Sequence, residues 1–102
     1  MVMQIKGIRV ELGLLDDLVN ISIDAYDKAL IGSNIAKSRQ MLQDSIKVSN
    51  NGLAQAKKGL EMAKTLGDEK LIGAFTRWTK DFEGKINLAN KNIKVLNQLD
   101  IV

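Results

Sequence analysis

The chain has 102 residues, of which 45% are hydrophobic and 26% are charged, and this composition is typical of one folded domain rather than of a disordered segment. Cysteine and histidine are both absent, which excludes disulfides, thiolate or imidazole metal sites, and catalysis by either side chain. The net charge of +3 is small, so charge alone does not indicate a dedicated nucleic-acid-binding protein.

Glycine and polar residues divide the chain into three predicted helices. Gly32-Ser33-Asn34 and Gly67-Asp68 each combine a glycine that stops a helix with a side chain that caps the next one. We therefore predict helix 1 at about 8–31, helix 2 at about 34–66 and helix 3 at about 69–99, with ends uncertain by about 2–4 residues.

Helix 1 carries two apolar rows. The first follows the alternating steps of three and four residues that keep one face of a helix against a partner. Its members are Ile8, Leu12, Leu15, Val19, Ser22, Tyr26 and Ala29. A second row beside it contains Leu14, Leu18, Ile21 and Ala25. One neighbouring helix cannot cover both rows, so helix 1 is expected to pack between neighbours from its own chain or from a second copy.

Helix 2 repeats the same spacing with mostly small residues, which permit a close approach of a neighbouring backbone. Ser49-Asn50-Asn51-Gly52 in its middle is also a good turn signal. Gly52 and Gly59 would each cost about 1 kcal/mol relative to alanine inside a helix. The sequence thus leaves two alternatives: a continuous helix 2 whose close packing offsets this cost, or a break near residue 50 that gives four shorter helices.

Helix 3 presents mostly large residues at these positions, and they can fill the space above the small residues of helix 2. The short connection at Gly67 makes helices 2 and 3 antiparallel neighbours. The predicted fold class is all-α: an elongated antiparallel three-helix bundle in which residues 1–102 form a single domain. Helix 3 also has surplus apolar residues outside its main row: Leu71, Trp78, Leu88, Val95 and Leu99.

The sequence gives no pattern that indicates chemistry. No serine is followed by lysine three residues later, so the common Ser–Lys catalytic arrangement is absent. The aspartates of helix 1 lack calcium-loop spacing and are interpreted as a solvated acidic face. Glycine-rich phosphate-binding loops are also absent. We therefore predict no enzymatic activity, no catalytic or metal-binding residues, and no cofactor.

The surplus apolar faces of helices 1 and 3 predict protein–protein contacts instead. We expect a homo-oligomer or a helical protein partner, and a role as an interaction or scaffold module. Trp78 and Arg77 belong to residue types that often dominate binding energy. The candidate interaction residues are Leu14, Leu18, Ile21, Trp78, Arg77, Leu88 and Val95.

Charge is distributed unevenly, and this supports an alternative function. Residues 1–30 carry a net charge of −2 and residues 31–66 carry +4. The simplest interpretation is complementarity between helices 1 and 2. Lys47, Lys57 and Lys58 also allow a small nucleic-acid-associated or regulatory protein, although no aromatic residues interleave with them for base stacking.

Two short patterns resemble known families. The segment 59–70 resembles the junction between units of tetratricopeptide repeats, and Asp81-Phe82-Glu83 resembles the turn within a unit. This resemblance implies stacked short helix pairs that act as a peptide-binding adaptor. It covers under half of the chain, and Lys85 and Asn92 replace the expected small residues. The size and helical character also resemble the small proteins of type VII secretion, but their Trp-x-Gly turn is missing.

Location is predicted from the charge pattern. Charged residues interrupt the apolar stretch near the N-terminus, which is unlike a secretory signal, and no apolar run approaches the roughly 18 residues of a membrane span. The expected location is the cytoplasm, with export without a leader left open.

Overall fold

The computed structural model describes the backbone of residues 1–101 and the side chains of residues 1–99. Within this range the chain forms three helices and no strand: α1 (Val2–Ile31), α2 (Ile35–Leu66) and α3 (Glu69–Ile101). The fold is the predicted all-α three-helix bundle. Its extents of 54 × 19 × 15 Å give the elongated shape that helices of this length produce.

Helix α1 begins earlier than predicted. The expected start near residue 8 is wrong, because the helix begins at Val2 and the N–H of Ile5 donates a hydrogen bond to the carbonyl of Met1 at 3.0 Å. Ile5 is buried and extends the first apolar row by one step of three residues. Burial of this side chain stabilises a first turn that has no side-chain cap.

Both connections use the capping residues that the sequence indicates. The side chain of Asn34 accepts a hydrogen bond from the N–H of Lys37 at 3.1 Å and caps α2. Gly67 ends α2 in the left-handed conformation, with φ of 68°, which glycine adopts without steric cost. One residue later, the Asp68 carboxylate accepts a hydrogen bond from the N–H of Leu71 at 3.2 Å. The two short turns make each helix antiparallel to the next.

Helix α2 is continuous from Ile35 to Leu66, so the alternative of a break near residue 50 is wrong. The segment 81–83 likewise lies inside α3 and forms no turn. Residues 1–101 therefore do not contain the stacked short helix pairs that the tetratricopeptide resemblance implies. Helix α2 lies at the centre of the bundle, because α1 and α3 both pack extensively against it.

Close packing explains the glycines in the middle of α2. A Cβ atom added at Gly52 would lie 2.5 Å from Cζ of Phe82, and one added at Gly59 would lie 2.6 Å from Cζ of Phe75. Both phenylalanines are fully buried. The small row of α2 thus receives the large row of α3, as predicted, and the burial of two aromatic rings offsets the low helix propensity of glycine.

The α2 row also contains three buried serines, and one of them predicts a stabilising substitution. Ser38 and Ser45 donate hydrogen bonds to backbone carbonyls at 2.8 and 2.7 Å. The hydroxyl of Ser49 is buried without a hydrogen-bond partner among the described residues. Replacing Ser49 with alanine is expected to raise the free energy of unfolding by about 1 kcal/mol, because it removes an unsatisfied polar group. Urea denaturation measures the change, with Ser45→Ala as the matched control that should not stabilise.

Candidate interaction site

One row of α1 remains exposed after the three helices have packed. Leu14, Leu18 and Ile21 expose 60%, 49% and 64% of their surface, whereas Leu15 and Val19 beside them are buried. We call Leu14, Leu18 and Ile21 the α1 row. Their spacing of i, i+4 and i+7 places them on one face of the helix, so they form a continuous apolar stripe.

The α1 row lies on the flank of the molecule that faces away from α3. Asp16 marks the opposite side of α1, because its carboxylate pairs with Lys85 of α3. Leu14 and Leu18 are each two residues from Asp16, which places them about 160° away from it around the helix axis. The row is therefore separate from any surface that α1 shares with α3.

A groove runs between α1 and α3 on the other flank. The two helices are parallel and both pack on α2, but their backbones approach each other closely at very few points. Two of the clefts along this groove together contain Arg77, Trp78 and Leu88, and we call them the upper and the lower cleft. The upper cleft is lined by Arg9, Asp16, Ala74, Arg77, Trp78 and Asp81. The lower cleft is lined by Ile23, Tyr26, Asp27, Leu42, Lys85, Leu88, Ala89 and Asn92. We call these two clefts together the α1–α3 groove.

Trp78 belongs both to the core edge and to the groove. Its ring is half-buried and stacks on Phe82, with centroids 5.6 Å apart and an angle of 20° between the planes. The same side chain lines the upper cleft beside the exposed Arg77.

A small ionic cluster lies between the two clefts. The ammonium of Lys85 contacts the carboxylate of Asp16 across the groove and lies 3.4 Å from the carboxylate of Asp81 one turn earlier. Lys85 and Asp16 keep only 19% and 24% of their side-chain surface exposed. The cluster fixes the position of α1 against α3 and leaves apolar surface on both sides of it. No local pattern in the sequence predicts this pair, although Lys85 lies seven residues after Trp78 and hence on the same face of α3.

The remaining candidates lie on the α3 side of the groove. Leu88 is 57% exposed and lines the lower cleft. Val95 is 50% exposed and follows Leu88 by seven residues, which places it on the same face of α3. The seven predicted residues thus form two separate surfaces. Leu14, Leu18 and Ile21 form the α1 row. Trp78, Arg77 and Leu88 line the groove, and Val95 lies two turns beyond Leu88 on the same face of α3.

The charges of α1 and α2 do not pair as the simplest interpretation of the sequence suggested. Glu11, Asp17 and Asp24 are exposed, and none of them makes an ion pair or side-chain hydrogen bond with another described residue. Arg9 and Arg77, which line the upper cleft, are likewise exposed and without such a partner in the described part of the chain. These charges remain available for contacts outside the protomer.

The acidic residues of α1 do not gather into a metal site. Within the described residues, no three acidic side chains come close enough together to hold an ion. None of the helices in this part of the chain contains an apolar stretch long enough to cross a membrane.

Comparison with known proteins gives no family for this chain. No known protein family matches the sequence, and no curated protein shows significant similarity to it. Any functional conclusion must therefore come from the surfaces themselves.

Proposed function

We propose that this protein is a non-enzymatic helical interaction or scaffold module that self-associates through the apolar faces of α1 and α3. The observation that carries the proposal is the α1 row, in which three large aliphatic side chains in helical register stay about half or more exposed. Scattered exposed apolar residues are normal, but a continuous stripe is typical of a contact surface.

The energetics favour covering this stripe. Burial of a large aliphatic side chain contributes about 1.5–3 kcal/mol, and each residue of the α1 row has gained only part of that in a single chain. Association must also overcome lost translational and rotational freedom, which costs about 4–15 kcal/mol. The row alone is a small contact, so the proposal includes the groove and the face of α3 that continues it, where Leu88 and Val95 offer further exposed apolar surface.

Sedimentation of the purified protein over a wide range of concentrations tests the proposal. We expect a dimer or larger species whose population grows with concentration, because contacts between copies follow mass action. A chain that remains strictly monomeric at the highest concentration would contradict self-association.

Nucleic-acid binding is the alternative. Lys47, Lys57 and Lys58 are exposed on α2, and such a set can contact phosphates. The four aromatic residues of the chain lie on α1 and α3, so none of them accompanies these lysines on α2. Steeply salt-dependent binding to generic DNA would support this alternative, and no retention on DNA at low salt would eliminate it.

We also propose a cytoplasmic location, since charged residues interrupt every long apolar run of the sequence. Fractionation of the source cells, with the protein detected in each fraction, tests it.

A further inference from the structure

We infer that the α1–α3 groove of one copy receives the α1 row of a second copy, so that the chains associate head to tail through two different surfaces. This inference rests on the proposed self-association and specifies its geometry. The occupant of the groove is a helix of the same protein, bound by apolar contacts and by charge complementarity.

The placement of the two surfaces permits this contact between chains but not within one chain. The α1 row and the groove lie on opposite flanks of α1, as the pairing of Asp16 with Lys85 establishes. A single protomer therefore cannot cover its own groove with its own row. Each protomer instead offers one row and one groove, and each surface can be occupied by a different neighbour.

The dimensions of the two surfaces agree. The distance from Glu11 to Ile21 along α1 is about 15 Å, and the distance from Arg77 to Leu88 along α3 is about 16 Å. In a parallel alignment, the aliphatic side chains of the row follow the groove from Trp78 to Leu88. The i, i+4, i+7 spacing of the row is the spacing by which amphipathic helices bind grooves, and here Trp78 and Leu88 supply the apolar contacts on either side of the Lys85 ion pairs.

Charge selects this alignment. With the row placed along the groove, Glu11 of one copy lies at the end where Arg9 and Arg77 of the next copy line the upper cleft. All three side chains are exposed and lack partners within the described residues of their own chain. Contact between unpaired charges of opposite sign favours this direction, because Glu11 lies seven residues before Leu18 and hence on the face of the row, whereas Asp24 at the other end lies about 120° away from Leu18 around the helix.

The same charges disfavour a symmetric contact between two α1 rows. The row is flanked by the acidic residues Glu11, Asp17 and Asp24. A parallel pairing of two rows would place each of these acids beside the same acid of the second copy. An antiparallel pairing centred on Leu18 would place Asp24 close to Glu11, because residue 24 then lies opposite residue 12. Like charges across a contact are destabilising, so two-fold pairing of the rows is the weaker arrangement. A head-to-tail contact produces closed rings or open chains instead of a simple two-fold dimer.

Mixing two variants tests this geometry. Leu18→Asp disrupts binding by the α1 row and leaves the groove intact. Leu88→Asp disrupts binding by the groove and leaves the α1 row intact. Each variant alone is expected to be monomeric by light scattering, with helix content by circular dichroism equal to that of the wild type. An equimolar mixture is expected to form a one-to-one complex that grows no further, because only one intact pair of surfaces remains.

The outcomes separate this inference from the proposed function. A mixture that stays monomeric, while the wild type assembles, overturns the head-to-tail geometry and leaves self-association intact. A wild type that does not assemble removes the proposed function itself.

A charge exchange provides a second test that does not depend on Leu88. Glu11→Arg and Arg77→Glu are each expected to weaken assembly at least tenfold, and the double variant is expected to recover most of the loss. Equal weakening in the single and double variants would overturn the assigned contact between these charges.

Discussion

Replacing Gly52 with leucine is expected to remove most of the stability of the bundle. A single Cβ atom at this position would already overlap the ring of Phe82, which is fully buried and stacked on Trp78. The ring is fully buried between α2 and Trp78, so we expect α2 and α3 to separate to admit the side chain. We expect a loss of about 3 kcal/mol or more, against a total of about 5–15 kcal/mol for a typical domain.

The same substitution at Gly84 is the matched control. Gly84 lies inside α3, is exposed, and a Cβ atom added there would meet nothing within 4 Å. Leucine is expected to stabilise the protein there by up to about 1 kcal/mol through helix propensity alone. Urea denaturation of the two variants should therefore give changes of opposite sign. If Gly52→Leu and Gly84→Leu changed the free energy of unfolding equally, the close contact between Gly52 and Phe82 would not be what makes Gly52 intolerant of a side chain.

Leu18→Asp is expected to convert the assembled protein into a folded monomer. Leu18 is 49% exposed in the single chain, so aspartate there loses about half of the burial energy of a leucine, roughly 1 kcal/mol, and up to about 0.7 kcal/mol of helix propensity, which leaves the monomer folded. In an assembly the same change would bury an unpaired carboxylate at the centre of the contact. We expect the dissociation constant to rise at least about 100-fold, which corresponds to about 2.7 kcal/mol.

An equally drastic change outside the row serves as control for this prediction. Ile31 is 86% exposed and lies ten residues beyond Ile21 at the end of α1. Ile31→Asp should leave the sedimentation of the protein unchanged. If Leu18→Asp and Ile31→Asp lower the oligomer population to the same extent, the effect comes from added negative charge and not from the loss of the row.

The sequence was sufficient to predict the number of helices and their two connections, because local signals there agree with the packing. Gly67 is required by a left-handed turn, and Asn34 caps α2, so both connections are marked by residues with a specific backbone role. The turn signal at Gly52 pointed the other way within α2. The sequence near Gly52 cannot decide between a turn and a helix. The decision depends on Phe82, which lies 30 residues later in the chain and whose ring requires a glycine beneath it.

The division of the site into two surfaces could not be predicted in the same way. Periodicity identifies surplus apolar residues on α1 and α3, but a three-helix bundle can place α3 on either side of the α1–α2 pair. The choice decides whether Leu18 or Asp16 faces the neighbouring helix. It depends on contacts distant in sequence, such as the pairing of Lys85 with Asp16, which no local pattern specifies.

The central position of α2 has a consequence for how the native state opens. Since α1 and α3 each pack on α2 and hardly touch each other's backbone, either outer helix can detach while the other antiparallel pair stays together. Amide hydrogens of the outer helices then exchange with solvent through such partial openings, whereas those of α2 require both outer helices to leave. The hydrogen-exchange protection of this protein should therefore be greatest in its middle third and decline toward both ends of the sequence.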